Sequence, residues 1–151
     1  MIIENWIGRL KEESPVFCGR VFGAAEFAVI GKTEAALTPR AYVVPLTEQA
    51  KDQPSVGKRY SDDITYTVGI VAVVKNVADA TGEAAHKALK PVRLDIMQAL
   101  CGWKDETMSY PVAYRSGRLL SFNNQLLHFG YIFSAHESLS LRVIPPKQAT
   151  I

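Results

Sequence analysis

The side chains able to do covalent or metal chemistry in this sequence are two cysteines, Cys18 and Cys101, and three histidines, His86, His128 and His136. A nucleophile needs a base within hydrogen-bond reach, and none of these residues lies in a nucleophile motif. Neither cysteine has the nearby cysteine or histidine partner that zinc sites and redox motifs use. The sequence therefore predicts no metal site, no cofactor and no catalytic centre.

The histidines and cysteines have simpler structural interpretations. His128 and His136 could share one face of a strand, but a metal ion needs a third donor, so a surface or pore-facing position accounts for them better. Cys101 stands beside Gly102 and is interpreted as a small apolar filler. A small cysteine-dependent α/β enzyme stays open as an alternative, with one of these thiols as its nucleophile.

The basic residues alternate with acidic ones along the chain, so we expect no basic stripe and no sequence-specific recognition of DNA. Two arginines flank Ser116 and Gly117, a pair typical of a hairpin turn, which indicates a solvated tip, with a phosphate contact as the alternative. The basic residues that we consider as contacts with a partner are Lys51, Lys58, Arg59, Arg115 and Arg118.

Length and composition predict one domain over residues 1–151. The chain has 17 Lys and Arg against 15 Asp and Glu, and 48% of its residues are hydrophobic. A chain of this size can bury a core without disulfides or metal. The N-terminal residues lack a signal-peptide pattern, and no apolar run approaches the ~20 residues of a membrane span. We therefore expect a protein that is cytoplasmic or assembles in the cytoplasm, without membrane contact.

Two helices are predicted from apolar spacing. The first covers residues 3–13 and ends at Ser14-Pro15, because a residue before proline avoids the α region. The second follows a turn at 76–80 with Asp79 or Thr81 as cap, tolerates Pro91 opposite its core stripe, and ends at Gly102. Its core stripe consists of Ala85, Leu89, Val92, Ile96, Ala99 and Trp103.

Leu94, Met97 and Cys101 form a minor apolar stripe on the other side of the second helix. Exposed apolar surface marks association, so a neighbouring subunit could cover this stripe. Packing of the first helix over it is the alternative, and the sequence leaves both open.

Strands are predicted at 17–22, 40–46, 62–75, 111–115, 118–122 and 125–136, with turns at 116–117 and 123–124. Pro45 lacks a backbone N–H, so the second strand should end there or lie at an edge. The strand at 62–75 would span ~45 Å, about twice the usual length. Residues 47–66 are therefore predicted to form an extended loop or hairpin arm, with a polar loop over 47–61, and 143–151 a tail.

The order of these pieces resembles the tail terminator family of tailed bacteriophages and their prophages. The resemblance lies in AYVVPL at 41–46 before a polar loop, VKNVADATGEAA at 74–85, ALCGW at 99–103 and YRSGRLL at 114–120. It departs from the family at His128 to Tyr131, where an aromatic pair is expected, and in the Pro-Pro tail.

The resemblance implies an α+β subunit with a mixed or mostly antiparallel sheet and two α-helices. It also implies a structural virion protein and not an enzyme: a homohexameric ring that caps the head-proximal end of the tail tube, stops polymerisation and joins the head-completion protein. DNA would pass through its lumen without sequence-specific binding. Another tail-tube or head–tail connector subunit is the alternative within this class.

Overall fold

A computed structural model describes residues 1–29, 37–51, 55–75, 83–122 and 125–147, and the element bounds below are those of the described chain. The helices are α1 (Ile3–Glu13), α2 (Ala24–Phe27) and α3 (Glu83–Leu100), and a 3-10 turn covers Pro15–Phe17. The strands are β1 (Val21–Phe22), β2 (Arg40–Ala50), β3 (Ser55–Val56), β4 (Arg59–Lys75), β5 (Tyr110–Phe122) and β6 (Leu126–Arg142).

The strands form one mixed sheet in the order β1-β2-β4-β6-β5, with β3 paired to the start of β4. Only the β1–β2 pair is parallel among the described strands. The β4–β6 register runs unbroken from Arg59 opposite Arg142 to Lys75 opposite Leu126, a ladder of about 50 Å. This architecture confirms the predicted α+β class, with the short α2 as an additional helix.

One face of the sheet carries the main core and is called the helix-covered face. Helix α1 contributes Trp6 and Leu10, α3 contributes Ile96, and the sheet contributes Ile70 and Phe133, all fully buried. The predicted core stripe of α3 is confirmed at Leu89, Val92, Ile96 and Ala99, while Trp103 is half-buried and the Ala85 side chain lies outside the described part.

Helix α1 lies beside α3 through polar contacts as well as apolar ones. Arg9 Nε donates to the Ala99 carbonyl at 2.8 Å, and Ser14 Oγ donates to the Asp95 carbonyl at 3.2 Å. The minor stripe lies elsewhere on α3, since Leu94 and Cys101 are exposed and Met97 is half-buried against the core. The alternative that α1 covers Leu94 and Cys101 is therefore wrong.

The strand predicted at 17–22 is mostly absent. Pro15–Phe17 is a 3-10 turn, Cys18 has φ +49° and Gly19 has φ +78°, so the chain reverses direction before the two-residue β1. Positive φ breaks the extended conformation that a strand needs. The apolar residues Val16 and Phe17 pack as a turn beneath α3, where Val16 N donates to Asp95 Oδ2 at 3.1 Å.

Strand β2 continues past Pro45 to Ala50, so of the two alternatives predicted for the proline, an end of the strand is wrong and an edge position is confirmed. Pro45 stands opposite Val68, and a register shift follows between Pro45 and Thr47. Strand β1 pairs with β2 at Ala41 and Tyr42, which leaves Pro45 on an edge of the described sheet, where a missing N–H is tolerated.

The prediction of a polar loop at 47–61 is also wrong over much of its length, because residues 47–50, 55–56 and 59–61 lie in strands.

The turn predicted at Ser116-Gly117 is absent, since β5 is one strand with local register shifts. A Cβ at Gly117 would lie 2.7 Å from Tyr114 Oη, so this glycine permits close packing rather than a turn. The turns predicted at 76–80 and 123–124 fall outside the described residues, as do the caps Asp79 and Thr81.

Candidate functional site

The second face of the sheet, called here the opposite face, has a different character from the helix-covered face. Side chains alternate between the faces along each strand, and this alternation places Thr67 and Gly69 of β4 and Ile132 and Ser134 of β6 on the opposite face. At one end of this face, residues of β1 and α2 pack over it: Phe22 and Phe27 contact Tyr42, which is buried with Val71, Val73 and Leu126.

Charge is segregated between the two faces. All six Lys and Arg residues of the described strands lie on the opposite face, whereas three of their four acidic residues lie on the helix-covered face and only Asp63 joins the bases. Arg40 is buried, and the other five bases are exposed. The basic residues of the opposite face are Arg40, Arg59, Lys75, Arg115, Arg118 and Arg142.

Hydroxyl groups hold several of these side chains in place. Arg115 Nε donates to Ser134 Oγ at 2.7 Å, and Arg59 Nε donates to Ser140 Oγ at 3.2 Å. The single acid is held in the same way, since Ser138 Oγ donates to Asp63 Oδ1 at 3.3 Å. The opposite face is thus basic and rich in hydroxyls along β4, β5 and β6.

Two histidines pair with hydroxyls across strands on this face. Ser121 Oγ lies 2.9 Å from His128 Nδ1, and Thr65 Oγ1 lies 3.1 Å from His136 Nδ1. Burial, followed by the positive charge of Arg40, lowers the pKa of His128. A hydroxyl beside an imidazole is the first element of a nucleophile–base pair. A metal site is a separate question, and the described residues contain no group of three His, Cys, Asp or Glu able to hold a metal.

The outer half of the β2–β4–β6 sheet is called the arm and comprises residues 47–51, 55–66 and 136–142. Its helix-covered face begins with Tyr66 between Glu48 and Glu137; burial, Glu137 and then Glu48 raise the pKa of Tyr66 to about 12. Farther out, Val56, Tyr60 and Leu141 stand in one row across three strands. Val56 is 67% exposed and Leu141 52%, so the outer end of the arm has an apolar row.

The partner-contact residues predicted from sequence fall into three places. Leu94, Met97 and Cys101 lie together on α3, where Cys101 Sγ is 3.8 Å from Met97 Sδ. Lys51 and Lys58 are exposed on the strand connections of the arm. The third group comprises Arg59, Arg115 and Arg118, which the sheet register places on one face.

The expectation that the bases form no common surface is therefore wrong for the arginines of the strands. Sequence reasoning also missed Lys75, Arg142 and the serines that accompany them. A signal was present in β6, where Ser134, Ser138, Ser140 and Arg142 recur at even positions. Its meaning depended on knowing that this segment is one continuous strand.

A cleft of about 470 Å³ lies between the start of α3 and the ends of β5 and β6. His86 lies in its wall, with Glu83 and a mostly apolar set of neighbours, and neither cysteine is among the lining residues. Glu83 pairs with Lys87 at 3.6 Å. The residues that line the cleft are Glu83, His86, Leu89, Leu119, Phe122, Leu127 and Phe129.

Comparison with known families gives one finding that covers almost all of the chain. A family model described as phage tail terminator protein matches residues 1–142. Comparison with the curated proteins finds no match. None of the described helices is both long and apolar enough to cross a membrane.

Proposed function

The chain belongs to the phage tail terminator family, whose members are structural proteins of the phage tail, and from this premise we propose that six copies form a ring that caps the head-proximal end of the tail tube. The ring would stop tube polymerisation and present a surface to the head-completion protein. In a closed ring, each subunit contacts the next one through two different, complementary surfaces. The rotation from one subunit to the next must return to the first subunit after a full turn.

The observation that supports this proposal is that the sheet has two unlike free edges. Among the described strands, β5 pairs only with β6, and β2 pairs on its outer side only at Ala41 and Tyr42. Val112 on the outer edge of β5 is already bonded to Gly102 and Trp103. From Ala113 to Phe122 the strand offers a row of backbone donors and acceptors without a partner strand among the described residues, a template for pairing with another chain. Pairing of one subunit's β5 edge with the next subunit's β2 edge would be heterologous, as a ring needs.

We assign the minor stripe of α3 to the same subunit contact. Leu94 is 54% exposed, and a carboxylate there costs little in water but much in a dry interface. Leu94→Glu should therefore shift the assembly from hexamer to monomer in light scattering while the melting temperature of the monomer stays unchanged. Ala88→Glu adds the same charge at an exposed position of the same helix and should leave the hexamer intact.

We assign the arm to contact with the tube end. Its apolar row, Val56, Tyr60 and Leu141, is exposed in the subunit and would be buried on the tube. The double change Val56→Glu with Leu141→Glu should abolish tube capping without altering the ring's mass. Ser61→Glu, on the other face of the arm, is the matched control.

Electron microscopy of tails assembled with each variant separates the possibilities. Wild-type protein should give tails of uniform length with six-fold density at the head-proximal end, and the arm variant should give tails of irregular length. Tails whose ends lack six-fold density for this subunit would refute the terminator role. Incorporation along the whole tube would instead identify a tube subunit.

A further inference from the structure

We propose that the opposite face of the sheet is a sequence-independent binding surface for the phosphate backbone of duplex DNA. The inference extends the proposed function, because a ring at the tail entrance brings DNA past one face of each subunit. The inference rests on the charge and the side-chain chemistry of the opposite face. DNA binding can be measured whether or not the ring forms.

The first step is the sign and distribution of charge. Among the residues of the described strands, five exposed cations lie on this face against one acid, Asp63, which is already bonded to Ser138. They are spread along its length: Lys75 at one end, Arg118 opposite Gly130, Arg115 beside Ser134, and Arg59 opposite Arg142 at the other end. These rows cover about 50 Å of strand, so the positive charge follows a line rather than a point.

The second step is the chemistry between the cations. Phosphate contacts in protein–DNA complexes come from Arg and Lys together with Ser and Thr hydroxyls, and the hydroxyls of Thr67, Ser134 and Ser140 share the face with the arginines. Ser134 and Ser140 orient Arg115 and Arg59 through their Nε atoms.

The third step decides which nucleic acid fits. Binding of single strands depends on aromatic side chains on which successive bases stack. Phe22, Phe27 and Tyr42 of this face are packed against one another. Tyr110 is the one exposed aromatic side chain of this face among the described residues, with its ring edge-on to His136, so the face lacks a row of stacking platforms. Double-stranded DNA presents one phosphate per ~1.7 Å of helix axis, far more than the face has cations. Contact would be sparse and salt-sensitive, as passage of DNA through a lumen requires.

The other polyanion that the basic opposite face could bind is the acidic surface of a protein. Leu46 and Leu120 are 50% and 42% exposed on this face, but each packs onto a glycine: Leu46 is within 3.3 Å of a Cβ position at Gly69, and Leu120 within 3.2 Å at Gly130. Both leucines fill hollows above glycines near the middle of the sheet, and the exposed cations extend beyond them toward both ends of the face.

The test measures fluorescence anisotropy of labelled duplexes of about 30 base pairs at low salt, near 20 mM. Wild-type protein should bind two duplexes of unrelated sequence with affinities within threefold. Arg118→Gln with Arg142→Gln removes two exposed cations that make no side-chain hydrogen bond to described residues. This variant should bind at least tenfold more weakly, and its salt slope should fall by about 2, close to one per lost phosphate contact.

Lys11→Gln with Lys90→Gln is the matched control, because it removes two exposed cations on the helices instead and should bind within twofold of wild type. Absence of binding by wild-type protein, or equal weakening by both double variants, would overturn the inference. Binding to polyglutamate but not to DNA would assign the face to an acidic protein and also overturn it. Light scattering on the same samples measures the oligomeric state independently of DNA binding. If a monomer binds DNA, the ring is refuted and the inference about the DNA-binding face stands.

Discussion

Ile96 and Leu94 are two positions apart on α3, yet Ile96 is completely buried in the main core and Leu94 is 54% exposed. Ile96→Asp would bury a carboxylate among apolar side chains, at a cost of at least several kcal/mol against a typical total stability of ~5–15 kcal/mol. We expect this variant not to fold, whereas Leu94→Asp should lose no more than about 1 kcal/mol. Urea denaturation followed by circular dichroism makes the comparison, and a cooperative transition for Ile96→Asp would contradict the burial of that face.

Glycine-to-alanine changes should have opposite signs at two positions. At Gly117 an added Cβ would lie 2.7 Å from Tyr114 Oη and 2.9 Å from Phe129 Cε1, so both rings must shift, and we expect a loss of ~1–3 kcal/mol. At Gly8, inside α1, nothing lies within 4 Å of the added Cβ, so Gly8→Ala should gain ~0.5–1 kcal/mol. Thermal or chemical denaturation reports both, and equal effects would show that Gly117 has no packing role.

His128 should make the fold sensitive to mild acid. Burial and the nearby positive charge of Arg40 lower its pKa in the folded protein below the ordinary value of 6.5. As the pH falls below about 6.5, the unfolded chain takes up a proton that the folded chain accepts only at lower pH, so stability declines. The slope of unfolding free energy between pH 7 and 5.5 should flatten in His128→Gln and persist in His86→Gln, whose histidine is exposed.

The tyrosines should titrate unequally in alkali. Burial raises the pKa of Tyr131 to about 12, and burial with Glu137 and Glu48 raises that of Tyr66 to about 12. The folded chain therefore keeps both hydroxyls protonated where the unfolded chain ionises near pH 10, and stability is lost as the pH rises from about 10 to 12.

Ultraviolet absorbance of tyrosinate near 295 nm follows this titration. Tyr66 and Tyr131 should ionise late in the folded protein, and burial with Asp62 also raises the pKa of Tyr60. Tyr66→Phe should remove one late step. In concentrated urea all should ionise together near pH 10. A single folded-state transition near 10 would contradict the described surroundings of both residues.

Elements with strong local periodicity were predictable from sequence. The helix at 3–13 coincides with α1, and the stripe of Leu89, Val92, Ile96 and Ala99 is the buried side of α3, because a 3.6-residue repeat of apolar residues fixes both helix and buried face. The continuous apolar half of β4, from Val68 to Val74, is rich in β-branched residues and indicates a strand buried on both faces. Each of these features depends on the pattern of residues within a single helix or strand.

The irregular connections and the length of the outer strands were not predictable in this way. The polar composition of 47–61 indicates a loop locally, but pairing with β4 satisfies the backbone groups of residues 47–50 and 55–56 and holds them as strands. Ser116-Gly117 indicates a turn locally, but β6 on one side and the ring of Tyr114 above it hold the chain extended. Backbone hydrogen bonds to a distant partner outweigh local turn preference there.

The sequence by itself determined how many charges the chain carries and which types they are, and it left Arg59, Arg115, Arg118 and Arg142 scattered among acids. Only the tertiary structure decided that these arginines share one face, while Glu48, Asp62 and Glu137 lie on the other. The physical reason is the two-residue repeat of a strand: each side chain's face depends on strand continuity and register, and a one-residue shift in either would exchange the faces.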